Sequence, residues 1–286
     1  MTKFDRRRKY YLILDCETAT LPFVKEYSGK LRDKVALARP LIYDLGWKVV
    51  DRNGNEYKRT NYLITEVFSV PQIFDTAYYA DKRPLYISKL QNKEIELVSW
   101  DIAIAELLED MQAVDSVGAY NAMFDYKRAI AFTEKYIREL YGNDFHAWLK
   151  MQKRICDNMD KPYKKRNTDF DGEHFTLRGV TVPLFDLWGL ACKHILDCDE
   201  YRKTAEENEW KSASGKYYST NAQNAYRFIS GDYNFDEAHT AIDDCDIEAA
   251  IFAVIVKMTK NKWERGIEHF PFKIEGEVPS TEDMGE

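Results

Sequence analysis

The dipeptide Asn53-Gly54, set between a strand-like run at 41–51 and a second at 55–66, restricts the fold of this chain more than any other feature. Both residues accept positive φ, so they close a tight turn whose twist suits paired strands, and the two runs must lie antiparallel. A third run, YYLILD at 10–15, precedes them and reads as a buried strand. Further along the chain the pattern changes. After an irregular stretch at 67–98, SWDIAIAELLEDM has apolar residues at helical spacing behind Ser99, a candidate N-cap. DSVGAY at 115–120 is a short strand followed by a helix over about 122–141, and 180–196 reads as a strand leading into a helix. A last long helix is expected over about 240–260. An early hairpin followed by strand-helix units predicts an α/β fold: a mixed sheet with early antiparallel strands and helices on both faces.

The 286 residues suit one large domain, expected over 1–273, with a polar insertion around 197–220 and an acidic, mobile tail at 274–286. Apolar residues make up 45% and charged residues 31%, which excludes a wholly disordered or collagen-like chain. The longest continuous apolar run, Ala249 to Val256, is far short of the ~20 residues of a membrane span, and the opening residues do not read as a secretory signal. Cysteines at 16, 156, 192, 198 and 245 form no C-x-x-C pair, so reduced thiols in a cytoplasmic setting are expected.

Lysine and arginine number 41 against 48 acidic residues, a net charge of −7, which argues against a protein that coats nucleic acid. An enzyme acting on nucleic acid remains open, because a local basic track can hold phosphates while an acidic pocket collects divalent metal. Residues 150–168 carry Lys150, Lys153, Arg154, Lys161, Lys164, Lys165 and Arg166 against Asp157 and Asp160. Such a run is ordinarily a solvated face; the rival reading is a phosphate-tracking surface with Tyr163 as a stacking ring.

Three segments could carry chemistry. In LILDCETAT, Asp15 and Glu17 are two apart, so a strand projects both from one face as the apolar run ends, where a divalent cation would offset their repulsion. In SVGAYNAMFDYKRA, Asn121 is a helix cap and Asp125 falls in the first turn, at a strand-to-helix junction of the kind where α/β proteins place sites. In EAHTAIDDCDIEAA, His239 adjoins Asp243, Asp244 and Asp246. Ideal helical rotation would pair His239 with Asp243, and turn Asp244 away by roughly 140°, unless His239 lies outside the helix.

In this order, DCET at 15–18, NAMFD at 121–125 and HTAIDD at 239–244 resemble the motifs of the DEDDh exonucleases, DnaQ-like 3'-to-5' exonucleases with a ribonuclease H-like fold. The likeness spans about 10–260, and GKYYSTNAQNAYRFISGDYNFDEAHTAIDD is also similar to members found in phage genomes, which would put the protein in a host cytoplasm. The resemblance implies metal coordination by Asp15, Glu17, Asp125 and Asp244, with His239 as general base; it favours Asp244 over Asp243. It puts Thr18 and Asn121 at the substrate. It implies two Mg²⁺ ions, replaceable by Mn²⁺, and hydrolysis of a nucleic acid with a free 3' end, single-stranded DNA favoured over RNA, with a 3'-to-5' exoribonuclease as the alternative. Ala19-Thr20 and Tyr120 depart from the family's usual Thr-Gly and His, which bears on the shape of the nucleotide pocket. A carboxylate neighbourhood is expected to raise the His239 pKa. The different-class alternative is a nucleic-acid-binding module that keeps the fold without hydrolysis; its mark would be a missing carboxylate or histidine, and none of the five is missing. The basic run at 150–166 would guide the strand, and the insertion at 197–220 would close over substrate or remain a surface loop.

Overall fold

The computed structural model describes residues 8–140, 144–157 and 174–260, together with Phe272 and Ile274. Among the described residues, seven strands form one sheet: β1 (Tyr10–Ala19), β2 (Leu41–Asp51), β3 (Glu56–Ile64), β4 (Glu96–Val98), β5 (Ser116–Ala119), β6 (His174–Leu177) and β7 (Val180–Asp186), in the order β4-β3-β2-β1-β5-β7-β6. The hairpin forms, with β2 antiparallel to both β1 and β3, although only Gly54 of the turn pair takes a positive φ (79°), its N–H donating to Asp51 O at 3.0 Å. β5 then joins β1 in parallel and β7 joins β5 in parallel. This is the mixed α/β sheet expected from the order of elements.

The pleat divides the core in two. Tyr10, Leu12 and Leu14 face one cluster, with Ile104, Leu107 and Met111 of the helix Trp100–Ala113. Tyr11 and Ile13 face the other, with Ile251, Phe252 and Ile255 of the helix Ala241–Thr259. Alternation on β1 therefore gives both sheet faces an apolar anchor and sends Asp15 and Glu17 to the face of the last helix.

Several boundaries differ from the sequence expectation. β1 continues past Asp15 to Ala19 because its end remains paired with β2. The return strand stops at Ile64, where Thr65–Phe68 turns helical. The stretch at 67–98 contains the helices Pro71–Phe74 and Arg83–Gln91 as well as β4. The segment at 197–220 is not merely a surface loop: its helix Asp199–Glu207 buries Tyr201 and Ala205 completely against the second cluster. The basic run begins in the helix Phe145–Asp157, where Lys153 pairs with Glu26 at 2.6 Å. Lys161, Lys164, Lys165, Arg166 and Tyr163 lie outside the described residues, as does the tail from 275 onward.

Candidate active site

The site is assembled where β1 meets the start of the last helix. Gly46 of β2 is the register partner of Asp15. A Cβ on Gly46 would stand 2.7 Å from the backbone of Ala241 and Ile242, so only a glycine lets the helix come so near the sheet. Asp44, partner of Glu17, is fully buried and accepts hydrogen bonds from Ala241 N (3.0 Å), Tyr86 Oη (2.9 Å) and Asn61 Nδ2 (2.6 Å). The carboxylate thus pins the positive end of the helix to β2. The β1–β2 register slips between Glu17 and Thr18, an irregularity that turns the strand end at the site.

His239 lies before the N-cap Thr240 in a left-handed conformation (φ 51°), so it is outside the helix and ideal rotation does not govern it. Asp243 faces away, accepting from Thr240 Oγ1 at 2.5 Å and pairing with Lys89 at 3.1 Å. Asp244 turns inward: ligand atoms of Glu17, His239 and Asp244 all lie within 4.8 Å of one another. Asp15, half-buried, feels the charges of Glu248, Asp125, Asp244 and Glu17. Asp125 is buried at the head of a π-helical stretch, Asp125–Ile130, and accepts from Cys16 Sγ at 3.1 Å. Asn121 is exposed and caps the turn, its Oδ1 accepting from Phe124 N at 3.3 Å. Thr18 is half-buried at the register slip. In the Ala19-Thr20 departure, Thr20 N donates to Thr76 Oγ1 (2.8 Å), and the same hydroxyl bonds Thr20 O (2.9 Å), tying the strand end to the segment that carries Tyr79. Tyr120 donates to Thr220 O at 2.7 Å, anchoring the end of the insertion.

Burial and mutual repulsion dominate the electrostatics. Burial first, then Asp244 and Asp44, push Glu17 up to about 9. Burial, then Glu237 and Asp44, push Asp244 up to about 8. Asp125 rises to about 7 through burial, against the hydrogen bond from Cys16. His239 moves opposite to the sequence expectation: burial, then Lys82, lower it from 6.5. The physical reason is that burial of the ring and the charge of Lys82 together outweigh the opposing charge of Asp236.

Sequence reasoning did not find the residues that hold His239. Tyr79 stacks on the imidazole, with ring centres 4.6 Å apart and planes 17° from parallel. Lys82 Nζ donates to the Ala238 and His239 carbonyls, and Glu237 Oε2 is 3.5 Å from His239 Nδ1. Tyr79 and Lys82 are far from the histidine in sequence, and no local pattern marks them.

Two buried carboxylate oxygens in the described residues, Asp244 Oδ1 and Glu248 Oε2, have no hydrogen-bond partner. Hard carboxylate oxygens left without a donor, crowded among other carboxylates, suit a divalent cation such as Mg²⁺ or Mn²⁺. The fold and site define the class: an α/β protein whose mixed sheet carries an acidic pocket with one imidazole at the end of its first strand.

No protein-family model matches the chain, and no curated protein matches it. Among solved structures it is similar to cell-death related nuclease 4 (CRN-4), with 12% identity and a TM-score of 0.37, over 88% of this chain and 64% of that one. Among the described residues, no helix is long and apolar enough to cross a membrane.

Proposed function

We propose that this protein is a metal-dependent 3'-to-5' exonuclease of the DEDDh type, hydrolysing phosphodiester bonds at a free 3' end, with single-stranded DNA favoured. The observation that carries this reading is the convergence of Glu17, His239 and Asp244 within 4.8 Å. Asp15, Glu17, Asp125 and Asp244 would hold the two divalent cations, Mg²⁺ or Mn²⁺. When bound, such cations neutralise the phosphate and make water a nucleophile near neutral pH.

The chain's own residues supply the rest. His239 takes the proton of the attacking water; with Nδ1 toward Glu237, Nε2 is the nitrogen assigned to that task. Its lowered pKa keeps the imidazole neutral and able to accept. Tyr79 restrains rotation of the ring through stacking. Thr18 and Asn121 are assigned to the terminal nucleotide. Tyr78, 88% exposed and edge-on to Tyr79 at 4.8 Å, offers a ring on which a base can stack.

Upstream phosphates are assigned to a cavity of about 480 Å³ lined by Lys34, Lys127, Arg128 and Lys135 around Phe132. Its Lys127 stands two residues after Asp125, and its four cations suit a polyanion.

The test is incubation of labelled single strands, blocked at one end or the other, with Mg²⁺ or EDTA. Stepwise shortening only from a free 3' end and only with metal is expected. Intact strands under both conditions would overturn the reading, and an RNA strand run in parallel decides the sugar preference.

A further inference from the structure

Glu248 is a carboxylate that the mechanism above does not use. It lies inside the apolar helix Ala241–Thr259 and is 2% exposed. One helical turn separates it from Asp244, so both side chains belong to the face laid against β1. The Tyr120 backbone supplies one hydrogen bond, while Oε2 has no partner. Its charge is felt by Asp15 more strongly than that of any other carboxylate, and Glu248 in turn feels Asp125 and Asp244.

A glutamate in this position has no purely structural advantage. Glutamine would accept the same backbone hydrogen bond without a charge, and leucine would fill the volume. A carboxyl group beside three other acids, with an oxygen left unpaired, can ionise only at the expense of the fold's stability unless a cation sits among them. A cation would use the unpaired oxygen and offset the repulsion together.

We propose that Glu248 is a fifth carboxylate of the cation site, which its unpaired Oε2 would serve. This rests on the reading of Asp15, Glu17, Asp125 and Asp244 as cation ligands and extends it to a residue outside the motifs. The inner wall is then supplied by two successive turns of one helix, Asp244 and Glu248.

The test uses the full chain stripped of metal, with Mn²⁺ as the probe. Binding is followed by calorimetry and by the spin signal of free Mn²⁺, and thermal midpoints are measured in EDTA. Glu248→Gln should weaken Mn²⁺ binding by about 10–100-fold, the range for groups that support a metal site, and should raise the midpoint in EDTA. Glu248→Leu should weaken binding similarly and serves if the glutamine variant does not fold. Unchanged Mn²⁺ affinity with a lower midpoint would overturn the inference and leave Glu248 a structural group. Asp15→Asn separates the two levels: if it abolishes binding while Glu248→Gln does not, this inference fails and the parent reading stands. A wild-type chain that binds no Mn²⁺ overturns both.

Discussion

His239 adopts a positive φ of 51°, a conformation that costs a non-glycine residue roughly 1–2 kcal/mol. It is held there by Lys82, which donates to the His239 carbonyl at 3.3 Å, and by the stacked ring of Tyr79. The strain has a use: it swings the imidazole out of the helix, so that Asp244 and not Asp243 shares its pocket. As the proposed proton acceptor, His239 is separable from the cation ligands. His239→Ala is expected to lower kcat by about 10²–10⁴-fold, the usual worth of a positioned general base, with Mn²⁺ affinity close to wild type. Equal losses in turnover and in Mn²⁺ binding, measured on the same preparation, would contradict its role.

At the scale of elements, the site depends on how closely the last helix lies on β2. Gly46→Ala would put a methyl group 2.7 Å from the Ala241 backbone. Overpacking of this kind costs about 1–3 kcal/mol, and the shift falls where Asp244 is aimed. Chemical denaturation should therefore show a stability loss in that range, with a larger proportional loss of hydrolysis; a variant with wild-type stability would show that the helix can retreat freely. The helical segment after Asp125 carries the second expectation. Replacing Lys127, Arg128 and Lys135 with alanine should weaken single-strand binding and reduce the slope of log affinity against log salt by about 2, at ~0.7 for each phosphate no longer neutralised. An unchanged slope would remove this groove from the strand's path.

Across the whole molecule, crowding of acids at one end of the sheet makes stability depend on pH in a definite direction. Glu17, Asp244 and Asp125 have folded values raised to about 9, 8 and 7, above those of the unfolded chain. The unfolded state therefore loses these protons first as pH rises, and the metal-free protein loses stability up to about pH 9. His239, lowered from 6.5, opposes the trend only toward acid pH, so the decline above 6.5 belongs to the carboxylates. Thermal midpoints in EDTA should fall between pH 6.5 and 9, and Mg²⁺ or Mn²⁺ should raise and flatten the curve. A flat curve in EDTA would mean that these groups are not crowded as described.

What the sequence determined by itself was what short-range geometry controls. A period of two sends Asp15 and Glu17 to the same face, Asn53-Gly54 closes the hairpin, and Asn121 caps the turn before Asp125. These depend on residues close together in the chain, so their signals are local. The tertiary structure decided the rest. The choice between Asp243 and Asp244 depends on a backbone torsion outside the helix, held by Lys82 from another part of the chain. The direction of the His239 shift depends on burial and on the charge of Lys82, which only folding brings near it. The burial of Tyr201 within a polar segment and of Glu248 within an apolar one follows from what packs against them. Desolvation, close approach and charge coupling are properties of positions in space, and a linear pattern carries them only where neighbours in space are also neighbours in sequence.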